Sequence, residues 1–263
     1  MKFTRRPHVI SKNLDAVFGG LTHTMQFMGQ YFRQLFNGPF EWREFIKQCY
    51  NIGVRSLLLI TLTGFVTGIV FTKQSRPSLI EFGAASWLPS LIAIAVVRAL
   101  APLVTALIGS GKIGSNIGAE LGSMRVTEQI DAMEVSGTNP FKFLVVTRVT
   151  ATTVMIPILM MYFGFVALMG SFLNVHQNEA TSFVTFFQDA FSPITFLDIF
   201  TGLFKAIFYG FTIGMVGCYS GYHAEKGTEG VGMAANRAVI ISMFLVFIEE
   251  IVIVQISNWI RLA

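Results

Sequence analysis

An all-α, polytopic membrane fold is what this sequence predicts, and three observations predict it. Hydrophobic residues make up 53% of the 263 positions and charged residues only 13%, against roughly 25% charged in a soluble domain. Mean hydropathy is +0.61. Five apolar stretches, 52–72, 87–108, 144–173, 200–221 and 238–260, are each close to or above the ~20 residues a helix needs to cross the hydrocarbon layer.

The elements follow in chain order. Ahead of the first span, Leu14, Val17, Phe18, Leu21, Met25, Met28, Phe32, Leu35 and Phe36 recur at helical spacing, with Gln26, Gln30, Arg33 and Gln34 on other faces. This pattern predicts a helix lying in the membrane surface with its apolar side down. A helix packed on another protein segment would carry the same stripe. Asn37-Gly38-Pro39 stops it, and 40–51 leads as a helical elbow into the first span. Residues 1–51 thus form an interfacial and elbow unit, and 52–263 a five-span domain. The basic start, MKFTRRPHVISKNLD, is not followed by the short apolar run and cleavage site of a signal peptide. Every span contains polar residues, as packed helices do, and the third is long enough to tilt.

Orientation follows from Lys and Arg, which favour the cytoplasmic side. With the N-terminus inside, and Arg148 near the inner end of span three counted there, thirteen of the 19 basic residues fall on the inside, three outside (Lys73, Arg76, Arg261) and three others within spans. The connection 174–198, read as a far-side loop, has none. The C-terminus is then outside. The net charge of +4 comes without any basic run, so nothing predicts nucleic-acid binding. Cys49 and Cys218 lack metal spacing, and His8, His23, His176 and His223 are scattered.

Between spans two and three lies GSGKIGSNIGAELGSMRVTEQIDAMEVSG, residues 109–137. Its opening imitates a phosphate-binding loop. That loop needs Gly, four residues, then Gly-Lys-Ser/Thr. Here Ile113 follows Lys112, Ala106 stands where the first glycine should, and no strand leads in. Gly111, Gly114, Gly118 and Gly122 instead line one side of a helix, a surface that lets membrane helices approach closely. Downstream, Thr127 is a plausible N-cap with Glu128 in the first turn. Val126, Ile130 and Met133 make an apolar stripe beside an acidic one of Glu128, Asp131 and Glu134. Gly137 ends this short helix, and Asn139-Pro140 prevents its resumption. Such a helix is a docking element or an ordinary solvated one.

Residues 101–149, with Ala119-Glu120-Leu121-Gly122, Met124 and Thr127-Glu128-Gln129-Ile130, strongly resemble the MlaE/YrbE-type permeases of ABC lipid transporters. The resemblance covers nearly the whole chain, including a turn region at 68–74 and Gly221-Tyr222 after span four. It implies that 123–137 holds the coupling helix, with Glu120, Arg125, Thr127, Glu128, Gln129, Asp131 and Glu134 facing a cytoplasmic ATPase. ATP and magnesium would be bound by that partner and no cofactor by this chain, which would do no chemistry of its own. The resemblance further implies a homodimer in the bacterial inner membrane, a lipid-sized cavity between the copies, a periplasmic MCE-domain partner and phospholipid as cargo. A small STAS-domain protein is a further partner it allows.

Ionisable residues inside a membrane suggest function, because insertion costs about 2.5–3.5 kcal/mol each. Arg98 falls mid-way along span two, Glu249 and Glu250 mid-way along span five, and Lys205 nearer the outer end of span four. The shared depth predicts that Arg98 pairs with Glu249 or Glu250, within or across subunits. The resemblance adds Gln74 to this lipid pathway and matches Arg98, Lys205 and Glu250 to basic, basic and acidic positions. Relatives often carry Glu after the arginine, where this chain has Ala99; Glu249 is an extra carboxylate. Two other classes remain open on the residues alone. One is an ion-coupled secondary transporter with Arg98, Glu249 and Glu250 as relay, against which stand the odd span count and the lack of inverted repeats. The other is a membrane scaffold.

Overall fold

Exposed apolar side chains mark the outer surface of this protein: Leu58 is 79% exposed, Ile251 71% and Phe244 64%. A soluble domain buries such residues, whereas a bilayer solvates them. In the computed structural model, the backbone is described for residues 9–37, 39–179 and 181–262, and side chains for 22–37, 39–179 and 181–259. Among these residues the fold is all-α, without strands. Five helical stretches are long and apolar enough to cross a membrane: Trp42–Glu81, Ala85–Val126, Phe141–Glu179, Phe196–Tyr222 and Thr228–Trp259. They are the five predicted spans, each extended at one or both ends.

Helix α1, Val9–Phe36, comes first. The side chains of Leu14, Val17, Phe18 and Leu21 lie outside the described residues; of the rest of the stripe, Met25, Phe32 and Phe36 face outward and Met28 and Leu35 are half-buried, while the buried residues, Phe27 and Tyr31, lie beside it. Phe27 packs edge-on against Phe141 (4.9 Å) and Tyr219 (5.3 Å). Tyr31 meets the Thr150 hydroxyl at 3.3 Å, and burial holds its phenol above the usual pKa. One flank of the helix thus grips the spans, and the other carries outward apolar side chains.

Helix α2, Trp42–Glu81, carries the elbow into the first span as one helix of 40 residues. It also runs straight through 68–74, so the expected turn region is helical. The second span is built of α3 (Leu88–Ala95), α4 (Ala101–Gly109) and α5 (Ser115–Val126), joined by π-helical turns at Val96–Leu100 and Ser110–Gly114. Such turns add one residue to the helical repeat and are frequent at functional sites; the first contains Arg98 and the second Lys112. Short α6, Gln129–Val135, follows. The third span enters through a π-helical turn at Phe141–Val146 and continues as α7, Thr147–Glu179. The region read as a loop is mostly helical: α7 reaches Glu179 and α8 occupies Phe183–Phe191, capped by the Ser182 hydroxyl on the Thr185 N–H. Apolar runs too short to span had hidden it. Helices α9 (Phe196–Tyr222) and α10 (Thr228–Leu262) complete the chain.

Helix α7 is central, packing against α2 on one side and α9 on the other; α5 lies against α9 and α10. Small residues make these approaches possible. A Cβ on Gly118 would meet the Ala234 carbonyl oxygen at 3.1 Å, and one on Gly221 would meet the Gly118 carbonyl oxygen at 2.8 Å. The repeated glycines of α5 are therefore helix-packing surface, as their spacing predicts. Hydroxyls add cross-helix bonds: Thr61 and Tyr162 are 2.8 Å apart, and Ser171 donates to the Gly68 carbonyl at 3.1 Å.

Candidate functional site

Three of the four charges predicted within the spans, Arg98, Lys205 and Glu250, come together, but in a different pairing. Arg98 does not reach Glu249 or Glu250 within the chain. Its guanidinium pairs with Asp198: Nη2 donates to Oδ2 at 2.9 Å, and Nε lies 2.8 Å from Oδ1 as an ion-pair contact not aligned for a hydrogen bond. Glu250 is taken by Lys205, Nζ to Oε1 at 2.7 Å, and accepts a second bond from the Tyr209 hydroxyl. The Lys205 ammonium also donates to the Arg98 carbonyl at 3.1 Å, joining the two pairs. Depth along a span was legible, but helix rotation was not, and rotation turns Lys205 inward to 3% exposure.

Asp198 is the residue that sequence reasoning missed. It sits in the first turn of α9, and its carboxylate accepts from the Thr195 N–H (3.0 Å) and hydroxyl (2.9 Å). A signal was present: Thr195-x-x-Asp198 ahead of an apolar run is a capping box. Its carboxylate thus serves the helix start and the arginine together. Glu249 stands apart, accepting from the Thr212 hydroxyl, with its other oxygen buried and without a partner among the described residues. Gln74 is exposed on α2 and is not part of this cluster.

A cavity of about 200 Å³ opens among Arg98, Ala99, Asp198, Gly202, Lys205 and Glu250, with Ser257 and Asn258 at its edge. Beside it runs an apolar groove of about 390 Å³ formed by Leu197, Phe200, Phe204, Ile253 and Ile256. Thr201 and Ser257 line both. A charged recess thus continues into a greasy one.

The second predicted group lies on the turn between α5 and α6. Thr127 does not cap α6. It ends α5, its hydroxyl donating back to the Ser123 carbonyl at 2.8 Å, and Glu128 takes the N-cap position with φ 57°. That left-handed backbone costs a non-glycine residue about 1–2 kcal/mol and reverses the chain so that α6 folds back. Ile130 is buried and Met133 half-buried, anchoring the helix by the predicted stripe. Glu128, Gln129, Asp131 and Glu134 are exposed. Arg125 pairs with Asp131 at 2.6 Å. The end of α6 is a Schellman cap: Gly137 (φ 80°) donates to the Glu134 carbonyl at 3.0 Å and Thr138 to Met133 at 3.1 Å. Glu120 points elsewhere, to the buried guanidinium of Arg148 at 2.9 Å, tying α5 to α7.

Long helices with apolar outer faces, closed around a shared set of charges beside an apolar groove, define a multi-pass membrane protein with an amphipathic internal site. Residues 45–256 match the family model of the MlaE permease. The chain is 34% identical over 212 residues to a probable ABC transporter permease protein of Rickettsia prowazekii, covering 80% of this chain and 82% of that one. A probable ABC transporter permease protein of a Synechocystis strain is 32% identical over 90% of each chain. The intermembrane phospholipid transport system permease protein MlaE of Haemophilus influenzae is 32% identical over 74% of this chain and 75% of its own. The chain belongs to the MlaE permease family, and its class is that of the ABC transporter permeases.

Proposed function

We propose that this chain is the permease subunit of an ATP-driven lipid transporter that moves phospholipid between the inner membrane and a periplasmic MCE-domain partner. One observation carries the reading. The Arg98–Asp198–Lys205–Glu250 recess and the Phe200–Phe204–Ile253 groove share Thr201 and Ser257. A charged headgroup and an acyl chain are joined in the same way, so a phospholipid matches both halves of the site at once. The name of the Haemophilus relative supports the cargo.

In this reading two copies pair, with the cavities facing each other, and a cytoplasmic ATPase docks against α6 through Glu128, Gln129, Asp131 and Glu134. The N-terminus lies in the cytoplasm and the C-terminus in the periplasm. The ATPase can shift the permease only by binding its states unequally; Glu128, where the chain reverses, carries that difference from α6 into α5 and on to Lys112 and Arg98 along the same span. Arg98 and Lys205 hold the phosphate, while Asp198 and Glu250 keep both cations in place when it leaves.

Gentle purification from the native membrane tests this. Phospholipid and an ATPase are expected to accompany the chain, and a Glu128→Lys, Asp131→Lys double variant is expected to lose the ATPase while keeping the lipid. Lipid movement by the chain alone at an undiminished rate, without any ATPase, would overturn the reading.

A further inference from the structure

We propose that a second phospholipid site, separate from the Arg98 cavity, lies where α2 meets the Ser110–Gly114 turn: Arg55 and Lys112 bind the phosphate of a lipid headgroup from the leaflet on the α5–α6 side. The inference needs the chain to span a bilayer and is independent of what the transporter carries.

A cavity of about 350 Å³ opens there, lined by Gln48, Asn51, Arg55, Ser56, Lys112 and Asn116 among others. Arg55 is exposed, and its guanidinium has no partner among the described residues. Lys112 donates to the Arg55 carbonyl, which pins the turn to α2 and leaves two ammonium protons for a ligand. Ser56 is the independent pointer. It is 2% exposed, lines the cavity, and its hydroxyl has no partner among the described residues. A buried hydroxyl without a partner is costly, and a phosphate oxygen would accept from it.

One carboxylate, Glu120, lines the cavity too, but its charge is matched by Arg148, 2.9 Å from Oε1; Glu44, beside Gln48, takes Gln48 at 2.7 Å and Lys47 at 3.5 Å. The charges of Arg55 and Lys112 are therefore left to attract an anion, and the planar guanidinium fork suits phosphate in particular.

Depth selects lipid phosphate over a soluble anion. The outward stripe of α2 is interleaved in sequence with Arg43, Glu44 and Lys47 over Trp42, Ile46 and Tyr50, and from Val54 through Leu58, Leu62 and Val66 to Val70 it becomes an apolar belt with no charge beyond Arg55. At 1.5 Å per residue this is about 24 Å, most of a hydrocarbon core of roughly 30 Å. Arg55 stands at one edge of that belt, the level at which headgroup phosphates are concentrated, with the apolar surface of α2 beside it for the acyl chains.

The test places photoreactive benzoylphenylalanine at position 116, on the cavity wall, in protein reconstituted in phosphatidylglycerol vesicles. The expected result is lipid cross-linking that falls at least about fivefold with Arg55→Gln, the loss expected for a charge-assisted phosphate bond. Arg55→Lys should restore part of it. The melting temperature of Arg55→Gln should stay unchanged, since the side chain is exposed. Any of four results overturns the proposal: equal cross-linking of diacylglycerol with the same chains, loss of the cross-link to excess inorganic phosphate, a cross-link to a second copy in place of lipid, or indifference to Arg55→Gln. The same probe at position 254 reports on the Arg98 cavity, so absence of lipid there would count against phospholipid as cargo without touching this site.

Discussion

Two parts of this molecule use the same chemistry to opposite ends. In the spans, Arg98 meets Asp198 and Lys205 meets Glu250; on the turn beyond α5, Arg125 meets Asp131. The distances are alike, 2.8, 2.7 and 2.6 Å. The surroundings are not. Each span pair has at least one partner almost fully buried, Asp198 at 0% beside Arg98 at 36% and Lys205 at 4% beside Glu250 at 16%, whereas Arg125 and Asp131 are 41% and 53% exposed. Taking an ion out of water is expensive, so each buried charge depends on its partner. A solvated ion keeps most of its hydration, and its pairing is worth little. The buried pairs are therefore fixtures of the fold, and the exposed pair is one that another protein can exchange at small cost.

The largest effect expected from this contrast is at Lys205. Lys205→Met leaves Glu250 inside the helix bundle with only the Tyr209 hydroxyl, and should destabilise the protein by about 3–5 kcal/mol, the usual result of orphaning a buried charge. Unfolding followed in detergent measures it. Adding Glu250→Gln should recover most of the loss, because it removes the stranded charge. If the double variant were as unstable as the single, the pair would not be the source of the effect, and the comparison with Arg125–Asp131 would fail.

A smaller effect is expected where α5 touches α10 without any charge. Gly118→Leu places a side chain against the Ala234 carbonyl oxygen and the Ala235 Cα, which a Cβ alone would meet at 3.1 and 3.2 Å. Overpacking of this kind costs typically about 1–3 kcal/mol. Gly29, exposed and with nothing within 4 Å of such a Cβ, is the matched control; Gly29→Leu should leave stability unchanged or slightly raised in the same unfolding measurement. Equal losses at both would mean that helix approach is not what Gly118 provides.

The sequence was most legible where one physical requirement covers many residues. Five spans were readable because crossing hydrocarbon demands some twenty apolar residues in a row, and the α5 face was readable because close approach demands small residues at every turn. Legibility failed where a single residue decides. Asp198 looked like the end of a loop because one carboxylate carries no periodicity, although Thr195 three residues earlier announced a helix start. Thr127 looked like a cap for α6 because the left-handed Glu128 that follows it has no compositional mark; glycine or asparagine would have given one. The partners of Arg98 and Lys205 depend on how each helix is rotated against its neighbours, and π-helical turns at Val96–Leu100 and Ser110–Gly114 alter that rotation without any sequence signature.

The smallest expected effect is the one most useful for function. Asp131→Ala removes the exposed pair with Arg125 and should change stability by no more than about 0.5 kcal/mol, as solvated pairs do. Ile130, buried beneath α6, and the Schellman cap at Gly137 hold the helix in place without the ion pair. A melting temperature equal to that of the unaltered protein checks this. With the fold intact, any loss of a copurifying ATPase in Asp131→Ala reports on docking alone, a separation that no variant of Lys205 or Asp198 can offer. A large drop in stability would instead make Arg125–Asp131 a structural pair like those in the spans, and α6 a brace rather than a docking surface.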